Sequence, residues 1–323
     1  MRGSPAGHHR PAMTDPRSLL GPGSYTPLVT PFHDDEVDYD AFDAAVERQV
    51  AAGSHGVVVT GTSGEPTSLS VTERAALYFR AVIVADGRIP VVAATGTPDQ
   101  RSTVTLTAAA EKAGVDAVMV VAPAFVKPSQ TGLAAHFTTI AQSTDLPVLL
   151  YNIPGRAGVA IAPETVMRVV DACPHVVGVK HASTDLDALS TLLLALGDDF
   201  HLFCGLESFS YPFLALGGSG LMNAVGNILP ARVAALCEAV GRDDHREALA
   251  IHRELFEINQ AIFFDTNPVP LKTMLAHWGA GGAEVRAPLA PLDAAVARRV
   301  TGVLDRYAAR YPDAVDAARA VAL

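Results

Sequence analysis

The sequence predicts an α/β protein, a (β/α)8 TIM barrel with a C-terminal helical extension, and three observations carry that expectation. From about residue 24, short β-branched runs alternate with longer amphipathic ones. Eight such units follow one another at a spacing of roughly 20–35 residues, the length of one strand plus one helix. No GxGxxG follows the first strand and no Walker loop occurs, which disfavours an open doubly wound sheet.

The strand candidates are "YTPLVT" (25–30), "GVVVTG" (56–61), "PVVAAT" (90–95), "AVMVVAP" (117–123), "PVLLYN" (147–152), "VVGVKH" (176–181), "HLFCG" (201–205) and "SGLMNA" (219–224). They are nearly continuous in apolar residues, as strands buried on both faces are. Helical patterns such as "DYDAFDAAVERQVAAG", "TERAALYFRAVIVADG", "STVTLTAAAEKAG" and "LDALSTLLLALG" lie between them and end in Gly, the usual C-terminal signal. Beyond residue 228, "PARVAALCEAV", "HREALAIHRELFEINQAIFF" and "LDAAVARRVTGVLDRYAARY" predict helices, interrupted by the Pro-rich "TNPVPLK" and "VRAPLAPL". The expected organisation is a disordered extension or tag remnant over 1–20, a barrel over 21–228 and a helical extension over 229–323. Met13 is a candidate natural start.

Composition excludes several function classes. The 323 residues carry a net charge of −10, so nucleic acid and anionic membrane are not expected partners. No apolar run approaches the ~18 residues that cross a bilayer. The Pro/Gly/His-rich N-terminus lacks the apolar core of a signal peptide. Cys173, Cys204 and Cys237 are odd in number and form no CxxC, which suits a reducing compartment and a cytoplasmic location. The histidines show no HxH or HExxH spacing, so no metal is expected, and no GxSxG elbow offers a serine nucleophile.

Active groups of a barrel gather at the C-terminal ends of its strands. Those ends carry Thr60-Gly-Thr-Ser-Gly-Glu65, Pro123-Ala-Phe125, Tyr151-Asn-Ile-Pro-Gly-Arg156, Lys180-His181 and Gly205-Leu-Glu207. Lys180 is the sharpest of them, one of four lysines in the chain and set at the end of an apolar run. An amine among apolar neighbours resists protonation and can attack a carbonyl, forming a Schiff base that draws electrons from the adjacent carbon. Its ordinary alternative is a snorkelling lysine or one paired with Glu207. Tyr151 could relay protons for that amine if another hydroxyl polarises it, and Thr62 and Ser63 supply hydroxyls. Arg156 could clamp a carboxylate bidentately. Met222, in the eighth strand run, is a candidate substrate-binding residue. Each also reads as an ordinary feature: a core tyrosine, a βα turn with helix caps, a solvated loop arginine. His181 should point to the other side of its strand from Lys180.

Taken together, "GTSGE", "YNIPGR", "GVKHAS", "TNPVPLK" and "EVRAPLAPL", in this order, resemble the dihydrodipicolinate synthase / N-acetylneuraminate lyase family of class I pyruvate-dependent aldolases. The resemblance runs from "YTPLVTPFHDDEVDYDAF" to about residue 293. It implies a (β/α)8 barrel, a homotetramer built as a dimer of dimers, and no cofactor beyond a covalent Schiff base on Lys180. It makes Lys180 the Schiff-base lysine and Tyr151 the acid/base. Thr62 and Ser63 would hold the 2-oxo acid carboxylate and assist Tyr151.

Arg156 resembles the arginine with which the synthases bind the carboxylate of aspartate semialdehyde. Two departures qualify the match. The synthases usually carry "PYY" after strand four, whose second tyrosine reaches into a neighbouring subunit; here the run is Pro123-Ala124-Phe125, and the hydroxyl is lost. Ala124, Pro66, Val71 and Arg74 differ from the polar and histidine residues that bind lysine in feedback-regulated synthases. Alternatives that keep Lys180 are a 2-keto-3-deoxy sugar acid aldolase or dehydratase, or a related 2-oxo acid deaminase. An alternative of another class is a non-catalytic 2-oxo-acid-binding paralogue.

Overall fold

The computed structural model describes residues 20–320. Eight parallel strands close into a barrel: β1 (Gly23–Pro27), β2 (Gly56–Val59), β3 (Val91–Ala94), β4 (Ala117–Val121), β5 (Val148–Asn152), β6 (Val176–His181), β7 (His201–Cys204) and β8 (Gly220–Leu221). Neighbours pair in sequence order and β8 closes against β1. All eight predicted strands are present: the sixth keeps its predicted bounds, the first starts two residues earlier and ends three sooner, and the other six are trimmed by one to four residues where their ends turn into loops.

Both faces of the strands are buried, which explains the unbroken apolar runs. Val57 and Val59 pack outward under the helices, whereas Val58 joins Val92, Met119 and Leu149 inside the barrel. The helices that follow the strands are α1 (Tyr39–Ala51), α2 (Val71–Ala85), α3 (Gln100–Ala113), α4 (Gln130–Ala141), α5 (Pro163–Ala172), α6 (Leu186–Leu196), α7 (Ser210–Ala215) and α8 (Pro230–Gly241). Side-chain caps start most of them. Asp38, Ser70, Asp99, Ser129 and Asp185 each accept a backbone N–H of the first turn, and Ser70 with Glu73 completes a capping box. Gly114 ends α3 at φ 85°, a left-handed stop that glycine adopts without a Cβ penalty.

Helix α8 packs on β1, so the eighth βα unit extends past residue 228. The remainder forms α9 (His245–Ala261), α10 (Val269–His277), α11 (Ala294–Arg310) and α12 (Pro312–Ala320). A feature the strand pattern did not suggest is a two-stranded ribbon, Phe32–His33 against Glu36–Val37. Asp34 and Asp35 turn it with φ of 50° and 64°, the left-handed pair that a two-residue hairpin requires. The expected disorder over 1–19 lies outside the described residues. Leu20, assigned to that extension, is buried in the barrel interior.

Candidate active site

A one-residue bulge aims Lys180 into the barrel. Strands β5 and β6 are in register at Val148↔Val176, then shift, and continue as Leu149↔Gly178 and Tyr151↔Lys180. Val148 and Val176 both face the helices. Strict alternation from Val176 would therefore turn residues 178 and 180 outward as well. The extra residue, Val177, reverses the parity, so Lys180 faces inward beside Tyr151. Gly178 is needed there: a Cβ would stand 2.2 Å from the His201 carbonyl oxygen.

Lys180 is 3% exposed, and its Nζ lies 4.5 Å from the centre of the Tyr151 ring. Among the described residues no carboxylate pairs with it, Glu207 included. A Cβ at position 205 would meet Lys180 Cε at 2.9 Å, so Gly205 leaves the room in which the lysine chain lies. The Tyr151 hydroxyl is 3.3 Å from Thr62 Oγ1. Thr62 opens a 3₁₀ turn, Thr62–Gly64, that ends at Glu65 in the left-handed conformation, φ 53°. Ser63 Oγ, buried, accepts from Asn267 Nδ2 at 3.0 Å.

Arg156 sits in the short helical turn Pro154–Ala157 that follows β5 directly. Its Nη2 donates to the Asn267 carbonyl at 3.0 Å, its one hydrogen bond among the described residues. The guanidinium therefore keeps donors for an anion. Glu207 is buried in the same cleft, with Oε1 accepting the Ala224 N–H at 2.7 Å. Burial pushes its carboxyl above the ordinary value, opposed by that hydrogen bond and by the Lys180 charge.

Every predicted site residue converges. Thr62, Ser63, Tyr151, Arg156, Lys180 and Met222 line one cleft of about 60 Å³. A larger cavity of about 250 Å³ adjoins it through Thr62, Arg156 and Asn267, and is walled by Glu65, Arg286 and Leu289. Other groups stay outside. His181 faces away from the cleft and stacks near Phe213, with its imidazole pushed down by burial. Phe125 is 91% exposed at φ 70°. Among the described residues no cluster of three or more His, Cys, Asp or Glu could hold a metal ion.

Sequence reasoning missed Asn267, which bridges the Ser63 and Arg156 subsites from the extension. It also missed Lys272, which is fully buried against Glu65. The one signal for either was the "TNPVPLK" motif itself: a lysine and an asparagine in a Pro-rich break between helices.

Residues 21–306 match the model of the Dihydrodipicolinate synthetase family. A 4-hydroxy-tetrahydrodipicolinate synthase of Thermus thermophilus is 45% identical over 286 residues, covering 88% of this chain and 96% of the relative. The solved 4-hydroxy-tetrahydrodipicolinate synthase of Methylacidiphilum fumariolicum SolV superposes with a TM-score of 0.89 at 36% identity, covering 92% of this chain and 99% of the other. A structure described as the first monomeric dihydrodipicolinate synthase variant superposes at 0.87 with 33% identity, over 91% and 98% of the two chains.

Proposed function

The chain belongs to the dihydrodipicolinate synthetase family, and on that premise we propose that it condenses pyruvate with aspartate semialdehyde through a Schiff base on Lys180. The observation that carries the reading is the Lys180–Tyr151–Thr62 arrangement beside the free edge of Arg156.

The Lys180 amine attacks the ketone carbon of pyruvate, and Tyr151 moves protons as the carbinolamine loses water. The resulting iminium draws electrons from the methyl carbon, which gives up a proton to Tyr151 and becomes an enamine. That carbon attacks the aldehyde, whose oxygen takes the proton back. Thr62 polarises the phenol, and the hydroxyls and N–H groups of Thr62 and Ser63 hold the pyruvate carboxylate. Arg156 takes the carboxylate of the second substrate as a planar two-donor fork. Met222 closes the apolar wall of the cleft. The chemistry requires no metal or organic cofactor.

We assign the chain to a homotetramer in the cytoplasm. Exposed apolar side chains at Phe79, Ile83, Phe125 and Val126 support the first reading. Three free buried cysteines support the second. Among the described residues no helix is long and apolar enough to cross a membrane. The organisation into barrel and extension is functional as well as architectural, because Asn267 reaches the cleft from the extension.

The test is a substrate panel. Purified protein is supplied with pyruvate and a series of aldehydes, and separately with 2-keto-3-deoxy sugar acids, and products are followed by mass. Preferred turnover of aspartate semialdehyde supports the assignment. Preferred cleavage or dehydration of a keto-deoxy acid overturns it in favour of the other branch, which the missing hydroxyl at Phe125 would accommodate.

A further inference from the structure

The motifs that the reaction leaves unused, Glu65 of "GTSGE", Lys272 of "TNPVPLK" and Arg286 of "EVRAPLAPL", meet in one cluster beside the cleft, with Glu65 and Lys272 buried and Arg286 at its rim. Lys272 Nζ lies 2.5 Å from Glu65 Oε1, donates to the Glu284 carbonyl at 2.7 Å and stands 4.2 Å from the Phe32 ring centre. The Arg286 N–H donates to Glu65 Oε2 at 3.1 Å, and Arg286 Nη1 donates to the Ser68 carbonyl at 3.1 Å. Both side chains of the ion pair are nearly inaccessible, at 1% and 2%.

We infer that the Glu65–Lys272 ion pair is a positioning device for the reaction, through which the extension sets the Thr62 hydroxyl against Tyr151. The inference rests on the functional reading above. Three physical points carry it. First, the extension grips one short loop at three points, Ser63 through Asn267, Glu65 through Lys272 and Ser68 through Arg286. Second, Glu65 follows Thr62 by three residues and holds a left-handed backbone that a β-carbon disfavours, so its side chain needs an anchor. Third, the Thr62–Tyr151 contact is already long for two hydroxyls at 3.3 Å, so a small movement of the turn breaks it.

A role in stability alone is a poor account of the pair. Burying two charges removes their hydration, and apolar replacements of similar volume commonly leave a protein equally stable. What such replacements lose is the fixed geometry of two hydrogen-bonded partners. Lys272 and Glu65 are thus positioning residues, acting on the substrate through Thr62 and Ser63 and never touching it.

The test compares the full-length wild type with Glu65→Gln/Lys272→Met, using pyruvate, aspartate semialdehyde and borohydride. The double variant is expected to keep the wild-type circular dichroism and oligomeric state and still to trap pyruvate on Lys180. Its kcat should fall about ten- to a hundredfold, the scale of a displaced proton relay. A folded double variant with wild-type kcat, whatever its melting temperature, overturns the inference. Glu65→Gln alone, which keeps the volume and an acceptor oxygen, is read the same way if the double variant does not fold. Failure of the wild type to trap pyruvate at all would instead overturn the functional reading, and the inference with it.

Discussion

Tyr151 stands directly across the β5–β6 ladder from Lys180, and the amine lies 4.5 Å from the centre of the phenol ring. One residue thus supplies both a wall for the lysine chain and a hydroxyl for its chemistry. Tyr151→Phe separates the two, keeping the ring and removing the proton carrier. We expect kcat to drop about 10²- to 10⁴-fold, with native circular dichroism. Thr62→Val, which removes the polarising partner only, should cost less. Equal losses in both variants would show that Thr62 transfers the proton itself.

Two glycines make that geometry possible, and each predicts a different failure. Gly178→Ala drives a Cβ against the His201 backbone oxygen, which cannot move without shifting β7. It should destabilise the fold by about 1–3 kcal/mol or more in urea unfolding. Gly205→Ala meets the flexible Lys180 Cε and the Ala182 Cβ, both at 2.9 Å. The Ala182 Cβ is fixed to its backbone, so some stability is lost as well, but the larger effect should be on kcat, which falls about tenfold or more because the reactive amine is displaced. Wild-type kinetics in Gly205→Ala would remove Gly205 from the account.

Glu207 sets a pH dependence of stability. Burial holds its folded-state value above the ordinary 4.5, so the unfolded chain ionises first as the pH rises. The stability of the neutral carboxyl is whole below about pH 4.5 and is lost as the pH climbs through the raised folded value. Glu207→Gln cannot ionise, so its melting temperature should gain on the wild type from pH 4.5 upward. A constant gap across that range contradicts the assignment.

Lysine should not regulate this protein. Arg74 is 3% exposed, and its Nη2 is already spent on the Ala94 carbonyl at 2.6 Å, a carbonyl that Tyr78 and Thr60 also cap. With Val71 and Ala124 at two of the others, the positions that resemble the regulatory ones offer few polar groups for a ligand. Turnover measured with millimolar L-lysine should match turnover without it; clear inhibition refutes the reading.

The barrel was legible because each two-faced strand leaves an apolar run and most of the helices that follow begin at a side-chain cap. The cleft residues were legible for the same reason, since strand ends in a closed barrel share one mouth. What escaped was non-local. The bulge at Val177 changes the parity of β6 without any sequence mark, and it alone turns Lys180 inward and His181 outward. Asn267 and Lys272 reach loops some two hundred positions away in the chain, Ser63 and Glu65. No periodicity encodes such a contact. The short ribbon at Phe32–His33 was hidden by its two-residue strands, too brief for an alternation to register.

The most direct test of the central claim is covalent. The protein is incubated with pyruvate, reduced with borohydride, digested and weighed by peptide. The account predicts one reduced pyruvate adduct, carried on the peptide that contains Lys180 and absent from Lys180→Ala. An adduct on Lys112, Lys127 or Lys272 instead, or none on the active wild-type enzyme, contradicts it.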